Sequence, residues 1–142
     1  MSFGFDTKDN FYIDVKPLVR SVGSPRQEFA ERAKSILQNH KNLILAFSGG
    51  IDSQATYLAF KDVGYKIDCA FMHLPKYNDN EYENVLRCVK KWDINLTTIT
   101  LDPYKLKDKI LSESNRLQIP PNQILHSIFL EHLPEEKTFV EG

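Results

Sequence analysis

The sequence predicts a three-layer α/β sandwich, in which helices cover both faces of a parallel sheet. Two observations lead to this fold class. The apolar run 43–47 has the length of a buried strand, and a glycine-containing loop and an amphipathic segment follow it. A second apolar run, 66–72, comes after that segment. A strand, a helix and a strand at this spacing form a right-handed unit with parallel strands, so we expect the two runs to lie side by side.

Length, charge and hydropathy bound the class of protein. The chain of 142 residues is long enough for one domain with a buried core. Its 18 basic and 19 acidic side chains leave a net charge of −1, which gives no indication of nucleic acid or an anionic membrane as a partner. No apolar run approaches the roughly 20 residues of a membrane span, and the N-terminus lacks a signal-peptide pattern. We therefore expect a cytoplasmic protein.

The two cysteines, Cys69 and Cys88, are far apart in the sequence. The chain has no CxxC motif and no Cys/His cluster at the spacing of a zinc site. We expect both cysteines to be reduced core residues rather than a disulfide or metal ligands.

The chain divides into an N-terminal extension, 1–23, and a domain, 24–142. Segment 11–15 could form a short strand within the extension. The extension either packs on the domain or forms a partner-binding or lid segment, and the sequence leaves both interpretations open. The domain begins with a helix, because Ser24, Pro25 and Gln27 form a capping box. The apolar stripe of this helix comprises Phe29, Ala33, Ile36 and Leu37.

The helix after the loop ends at Gly64, a residue type typical of the C′ position. Its predicted buried face comprises Ala55, Leu58, Ala59 and Val63. The next helix is predicted from Glu81, with Asn80 as its cap, and its apolar face comprises Tyr82, Val85, Leu86 and Val89. Segment 95–101 is β-branched and predicts a third parallel strand, at an edge of the sheet.

Two further helices and a strand complete the predicted domain. Asp102 and Pro103 open one helix, and Pro120, Pro121 and Asn122 break the chain and cap the last one. The apolar face of the last helix comprises Ile124, Leu125, Ile128, Phe129 and Leu133. Segment 137–142 predicts a final strand that runs to a glycine.

The loop at 48–53, Ser-Gly-Gly-Ile-Asp-Ser, carries the clearest indication of function. Adjacent glycines can adopt positive φ at little cost, and the following helix offers free N–H groups and the positive end of its dipole. Ser48 and Ser53 add hydroxyl donors, and Asp52 could hold a cation or cap the helix. The pattern favours a multiply charged anion such as a nucleotide phosphate. The plain alternative is a Gly-Gly turn without a ligand.

The loop differs from the two commonest phosphate loops. It has no lysine, as a Walker A motif requires, and the G-x-G-x-x-G dinucleotide fingerprint is absent. In all six positions it resembles the PP-loop, S-G-G-x-D-S, of the N-type ATP pyrophosphatases in the adenine nucleotide alpha hydrolase-like superfamily. Members include GMP synthetase, NAD synthetase, the synthetase domain of asparagine synthetase and the 7-cyano-7-deazaguanine synthases. The resemblance covers about 42–142 and is specific in the loop, but only topological elsewhere.

The resemblance implies a Rossmann-like parallel sheet and a site for ATP. The phosphates would bind at Ser48, Gly49, Gly50, Ile51, Asp52 and Ser53, beside Phe47, with Mg²⁺ held by Asp52. The adenine would lie against Phe71 and Met72 at the end of the second strand, and plain core packing is the alternative for both residues. His73 could face the phosphates, but a simple hydrogen bond is favoured for it. In several PP-loop families the start of the last helix supplies polar contacts near the nucleotide or acceptor, which makes Asn122 and His126 candidates. A structural role is favoured for both.

The resemblance also implies a reaction. ATP would be cleaved between its α- and β-phosphates to AMP and pyrophosphate, with adenylation of an acceptor oxygen for amidation or ligation. Ile51 stands where the P-type relatives usually carry lysine, which favours the N-type enzymes. The acceptor and the catalytic residues are not assigned, and the acceptor-binding half of the family is missing here, so the sequence is either a fragment of a longer enzyme or a minimal nucleotide-binding protein. A partner subunit or a second copy could supply the missing half. The alternative is a non-catalytic nucleotide-binding or regulatory module that retains the loop.

Overall fold

The computed structural model describes residues 2–5, 11–14 and 21–141. Within these ranges the chain forms an α/β protein with five helices and a four-stranded, all-parallel sheet. The helices are α1 (Pro25–Asn39), α2 (Ile51–Asp62), α3 (Asp79–Trp92), α4 (Pro103–Leu117) and α5 (Pro121–Glu131). The strands are β1 (Ser2–Phe5), β2 (Phe11–Asp14), β3 (Leu43–Ala46), β4 (Asp68–His73), β5 (Leu96–Thr100) and β6 (Thr138–Glu141).

The parallel sheet has the strand order β5-β4-β3-β6. At its centre, Leu45 of β3 is paired with Cys69 of β4 and with Val140 of β6. The prediction of three parallel strands, with the second beside the first and the third at an edge, is confirmed. The observed strands are shorter than the predicted runs, although the backbone N–H of Phe47 still donates to the carbonyl of Ala70 at 2.9 Å.

The strand order reverses beside β3. The chain moves from β3 to β4 and β5 on one side, and it returns to place β6 on the other side. In open parallel sheets, the crevice at such a reversal, beyond the carboxyl ends of the strands, is where ligands bind. The loop at 48–53 follows β3 directly and therefore lies at this position.

Two hydrophobic clusters contain alternate residues of the central strands. Leu43, Leu45 and Cys69 belong to the larger cluster, which also holds buried residues of α1, α2 and α3. Ile44 and Ala70 belong to the smaller cluster with Phe129 of α5. Because successive side chains of a strand point to opposite faces, both faces of the sheet are covered, an arrangement compatible with three layers.

The first two helices follow their local sequence signals. The Ser24 side chain accepts a hydrogen bond from the Gln27 backbone, and the Gln27 side chain accepts one from the Ser24 backbone, so the predicted capping box is confirmed. Gly64 directly follows Val63, the C-cap residue of α2, and adopts φ +79°. This confirms the predicted C′ role of Gly64.

The predicted buried face of α2 is only partly correct. Ala59 is buried, but the deepest residues of the helix are Tyr57, Phe60 and Ser53. Leu58 and Val63 pack at the margin of the larger cluster, and Ala55 is half-buried. The helix is covered on two sides, by the sheet and by α1, so its apolar residues surround more of its circumference than a single stripe.

Two details predicted for α3 are wrong. In α3, Leu86 is exposed, and Cys88 takes the buried position instead. The same helix begins at Asp79 after Asn78, two residues earlier than predicted from Asn80 and Glu81. The break predicted at 120–122 is confirmed, because helix α5 begins directly after Pro120, its N-cap, and Pro121 fits the first turn.

The remaining predictions concern the termini and the cysteines. Strands β1 and β2 pair antiparallel, which confirms the strand predicted at 11–15 over 11–14, while Val15 and most of the extension lie outside the described residues. The predicted last strand is confirmed as β6. Cys69 and Cys88 are free and buried, as predicted. None of the helices in the described ranges combines the length and apolar character of a membrane span.

Candidate functional site

The glycine loop (residues 48–53) turns the chain from β3 into α2. Gly49 adopts φ +72°, in the left-handed region that L-residues rarely enter. Gly50 adopts φ −73° and ψ 168° and is the N-cap of α2. Only one of the two glycines therefore uses positive φ, whereas the sequence allowed it at both.

The carbonyl of Gly49 is held by two side chains. The amide nitrogens of Gln54 and Asn84 each donate to it at 2.6 Å. A Cβ atom at position 49 would lie 3.0 Å from Asn84 Nδ2 and 3.2 Å from Val85, so α3 leaves room only for glycine. Sequence reasoning missed Gln54 and Asn84, and for Asn84 no sequence signal exists, because it lies on another helix.

The two serines of the loop lie close together. Their hydroxyl oxygens are 3.2 Å apart, and the Ser53 hydroxyl also donates to the carbonyl of Gly50 at 3.1 Å. Ser53 is 2% exposed, and it is the single polar residue in the buried class within the described ranges. Ser48 is exposed, and its oxygen accepts a hydrogen bond from the Gly50 backbone at 3.3 Å. Ser53 therefore fixes the loop, and Ser48 presents a hydroxyl at its surface.

The first turn of α2 offers unpaired donors. Its N-cap residue, Gly50, has no side chain, and no other side chain among the described residues caps this helix. The backbone N–H groups of Ile51, Asp52 and Ser53 have no acceptor among the described residues. These groups carry the positive end of the helix dipole, so the residues present fit an anion such as a phosphate.

Asp52 lies in the first turn of α2 and is exposed. Its side chain makes no hydrogen bond or salt bridge with the described residues, so it does not cap the helix. Of the two roles considered for Asp52, the capping role is wrong. No group of three or more potential metal-ligating side chains occurs within the described ranges. A cation at Asp52 would therefore need most of its ligands from a bound anion and water.

A cleft of about 290 Å³ lies beyond the carboxyl ends of β3, β4 and β6, and we call it the switch-point cleft. It is lined by Ala46, Phe47, Ser48, Ala70, Phe71, Met72, Asn78, Glu81, Phe129 and Glu141. Four of the predicted binding residues are in this set: Phe47, Ser48, Phe71 and Met72. The other loop residues lie at the start of α2 and are not part of the lining.

The aromatic and apolar candidates occupy different surroundings. Phe71 is 5% exposed and stacks on Tyr82, with ring centroids 5.6 Å apart. Phe47 is buried against the edge of Tyr57. Met72 is half-buried and packs on the smaller cluster, on the opposite face of the sheet. Phe71 and Phe47 therefore have core roles in addition to their position at the cleft, and Met72 has the more accessible side chain.

Sequence reasoning missed three polar residues of the cleft. Glu81 is exposed in the first turn of α3, and Glu141 ends β6 opposite Ala46. Asn78 donates to the carbonyl of Met72 at 2.9 Å and accepts from the Leu74 backbone at 2.8 Å. Asn78 therefore shapes the wall of the cleft, and the two glutamates give it negative charge.

His73 lies at the end of β4 but does not line the cleft. Its Nε2 is 2.8 Å from a carboxylate oxygen of Asp79, and its ring stacks on Tyr82 with centroids 4.3 Å apart. The hydrogen bond from His73 holds the pKa of Asp79 below its ordinary value. These contacts agree with the hydrogen-bonded role favoured for His73.

The remaining candidates lie away from the cleft lining. Asn122 is exposed, and the ring of His126 contacts the edge of Phe139 with centroids 5.6 Å apart.

Burial raises the pKa of the Cys69 thiol to about 12. This cysteine therefore stays protonated and does not act as a nucleophile.

Comparisons with known proteins add no family assignment. Neither the protein-family models nor the curated proteins contain a match to this chain.

Proposed function

We propose that this chain binds ATP as a PP-loop protein of the adenine nucleotide alpha hydrolase-like superfamily, with a Rossmann-like sheet, and cleaves ATP to AMP and pyrophosphate. One observation carries the proposal: the glycine loop lies beside the N–H groups of Ile51, Asp52 and Ser53, which have no acceptor among the described residues. The motif S-G-G-x-D-S, which occupies this loop, supports ATP as the anion.

Each part of the site has a role in binding. The N–H groups of the first turn of α2 and the hydroxyl of Ser48 donate to phosphate oxygens. Gln54 and Asn84 hold the Gly49 carbonyl, which keeps the loop in its receptive shape before the ligand arrives. The adenine lies in the switch-point cleft against Met72, with Phe71 supporting the wall. Mg²⁺ bound at Asp52 would offset the negative charge of the phosphates.

The proposed reaction transfers an adenylyl group. An acceptor oxygen attacks the α-phosphorus, the bond from that phosphorus to the bridging oxygen breaks, and pyrophosphate leaves with the bond's electron pair. The chain contributes by fixing the phosphates and stabilising the charge that develops on them.

Thermal unfolding of the parent and of Gly50→Val, each titrated with ATP, tests the phosphate site. Gly50 has ordinary φ, and a Cβ there meets only the Ser48 hydroxyl, at 3.3 Å. The variant should therefore fold, while its branched side chain obstructs the donors at the start of α2. We expect ATP to raise the melting temperature of the parent and to have no effect on Gly50→Val. Unchanged ATP affinity in the folded variant would disprove the site.

Pyrophosphate release separates the enzyme from the binding module. The protein is incubated with ATP, Mg²⁺ and a panel of carboxylate, amide and carbonyl acceptors, and pyrophosphate is measured. An AMP-forming enzyme releases pyrophosphate with at least one acceptor. A protein that is stabilised by ATP but releases none across the panel would be the non-catalytic module.

Replacement of Asp52 tests the cation site. Because Asp52 does not cap α2, Asp52→Asn should change the free energy of unfolding by less than about 1 kcal/mol. We expect Mg²⁺ to strengthen ATP binding in the parent and much less in the variant. Asp108→Asn, an exposed acid on α4, is the matched control and should behave as the parent. An equal effect of Mg²⁺ in Asp52→Asn and the parent would exclude the metal role.

A further inference from the structure

A second cavity, the α4 pocket, lies between α4, α5 and the loop at 74–78. Its volume is about 380 Å³, within the roughly 300–1,000 Å³ typical of small-molecule sites. Leu106 and Ile110 of α4 and Leu125 of α5 form its apolar walls. Tyr77 and Tyr104 stand at its rim, with ring centroids 6.5 Å apart and planes at 76°.

The apolar side of α4 is incompletely covered. The helix has no fully buried residue, although its apolar residues share one side. Tyr77 and Tyr104 are 66% and 67% exposed, and Leu111 of the same pocket is also exposed. An apolar body placed in the pocket would remove these surfaces from water, which is the main source of affinity in small-molecule sites.

Lys107 gives the pocket a positive charge. Its side chain has no salt bridge or hydrogen bond with the described residues. Two other cations of α4 are paired, since Lys109 contacts Glu131 at 3.5 Å and Arg116 contacts Glu113, and Lys105 lies outside the pocket. The pocket therefore combines apolar walls with one uncompensated cation.

We propose that the α4 pocket binds a small molecule with an aromatic or alicyclic body and one anionic group. The two tyrosine rings and the leucine and isoleucine walls contact the body, and Lys107 contacts the anion. The cavity lies between three elements, and its volume of about 380 Å³ is that of a small-molecule site, so we propose a small molecule rather than a peptide helix. This proposal is independent of ATP binding.

The pocket also shares a wall with the switch-point cleft. Leu74 lines the pocket and Asn78 lines the cleft, and the Leu74 backbone donates to the Asn78 side chain at 2.8 Å. The loop at 74–78 thus separates the two sites, and both lie on the side of the sheet where the carboxyl ends of the strands meet.

Amide chemical shifts measured by NMR test the proposal, with 3-phenylpropionate and its neutral amide as probes. We expect 3-phenylpropionate to shift the resonances of residues that line the pocket, and to bind more tightly than the amide. Lys107→Gln should weaken the acid about fivefold and leave the amide unchanged. Lys105→Gln is the matched control, because Lys105 is exposed on the same helix but lies outside the pocket, and it should change neither probe.

Three results would overturn the proposal. The first is a set of shifts that lies outside the pocket or does not saturate. The second is equal affinity for the acid and the amide in the parent and in Lys107→Gln. The third is a dependence of the same shifts on protein concentration without any probe, which would assign this surface to a second copy of the chain. The same samples are also titrated with ATP, so that a failure of this proposal can be distinguished from a failure of the proposed function.

Discussion

Gly49 is the residue on which the geometry of the glycine loop depends. It combines φ +72° with close contact to α3, and its carbonyl receives two side-chain amides. Gly50, its neighbour, has ordinary φ, and a Cβ there would meet only the Ser48 hydroxyl. The two glycines are adjacent in the motif, but the backbone geometry favours glycine only at position 49, whereas at position 50 a residue without a side chain suits the proposed anion site.

Alanine at each position should therefore have different effects. Gly49→Ala forces an L-residue into the left-handed region at a cost of about 1–2 kcal/mol, and its Cβ displaces Asn84 or Val85. Gly50→Ala should cost less than about 1 kcal/mol, because its backbone is already in an ordinary region. Urea denaturation measures both. Equal stability of the two variants would show that the loop does not depend on the left-handed residue.

At the level of elements, α3 holds the glycine loop through Asn84. The hydrogen bond from Asn84 to Gly49 joins residues 35 positions apart and connects α3 to the turn before α2. Gln54 makes the other bond to the same carbonyl from within α2. The loop is thus fixed from two helices, and the loss of one amide leaves the other in place.

Asn84→Ala should separate positioning from stability. The lost hydrogen bond costs about 1 kcal/mol, and Gln54 alone holds the carbonyl, so we expect the variant to fold and to bind ATP several-fold more weakly. Asn80→Ala is the control, since Asn80 is exposed in the first turn of the same helix. Calorimetric titration with ATP gives the affinities. A loss of affinity that is equal in both variants would remove the special role of Asn84.

The first residues of β4 are joined to the start of β6 by an ion pair. Lys137 Nζ lies 2.5 Å from one carboxylate oxygen of Asp68, and the Asn95 amide lies 2.5 Å from the other. The hydrogen bond from Lys137 holds the pKa of Asp68 below its ordinary value. Both side chains are less than one third exposed, so solvent screens this pair less than the exposed pair of Lys66 and Asp93.

This pair should make stability depend on pH. Because the pKa of Asp68 is lowered by folding, its contribution is present above the unfolded value of about 4 and is lost as the pH falls through the lower folded value. We expect Lys137→Met to be less stable than the parent at pH 7, with a difference that narrows below about pH 4. Lys66→Met, at the exposed pair, should show little difference at any pH. Thermal unfolding across this pH range measures both, and a constant difference for Lys137→Met would argue against the ion pair.

The elements that the sequence predicted well are those with local signals. The box at Ser24, the glycine at 64 and the Asp102 cap of α4 depend on residues within a few positions of one another. Asn84 and the buried Cys88 depend on which face of α3 meets the sheet, and this follows from tertiary packing rather than from the pattern of the helix. The loop motif predicted an anion site, but it did not identify the side chains that hold the loop, Gln54 and Asn84, which lie outside the motif.

At the scale of the whole molecule, the sequence predicted the parallel strands of the βαβ unit but did not place the last strand. The pairing of β6 with β3 creates the reversal of strand order, and with it the switch-point cleft. It also brings Glu141 to the cleft from the end of the described chain. A contact between segments so distant in sequence leaves no local pattern, so the cleft's third strand could not be identified before the structure.

Packing is uneven across the molecule, and α4 is its least buried helix within the described ranges. It has no fully buried residue, whereas α3, of nearly equal length, buries Val85 and Cys88. Local signals favour α4 nevertheless, because Asp102 caps it and Arg116 pairs with Glu113. A comparison of α4 with α3 therefore tests whether local helix signals or tertiary packing contribute more to the stability of a helix.

Hydrogen exchange of the two helices decides which source dominates. Helices of this length are marginal without tertiary contacts, so we expect the amides of α4 to exchange through local opening at a lower free energy than those of α3. Asp102→Ala should then speed exchange in α4 alone, because the cap costs about 1 kcal/mol of a small local stability. Native-state exchange followed by NMR measures each amide. If α4 were protected as strongly as α3, its caps and charge pairs would be sufficient, and the partial burial of its apolar side would have little effect on its stability.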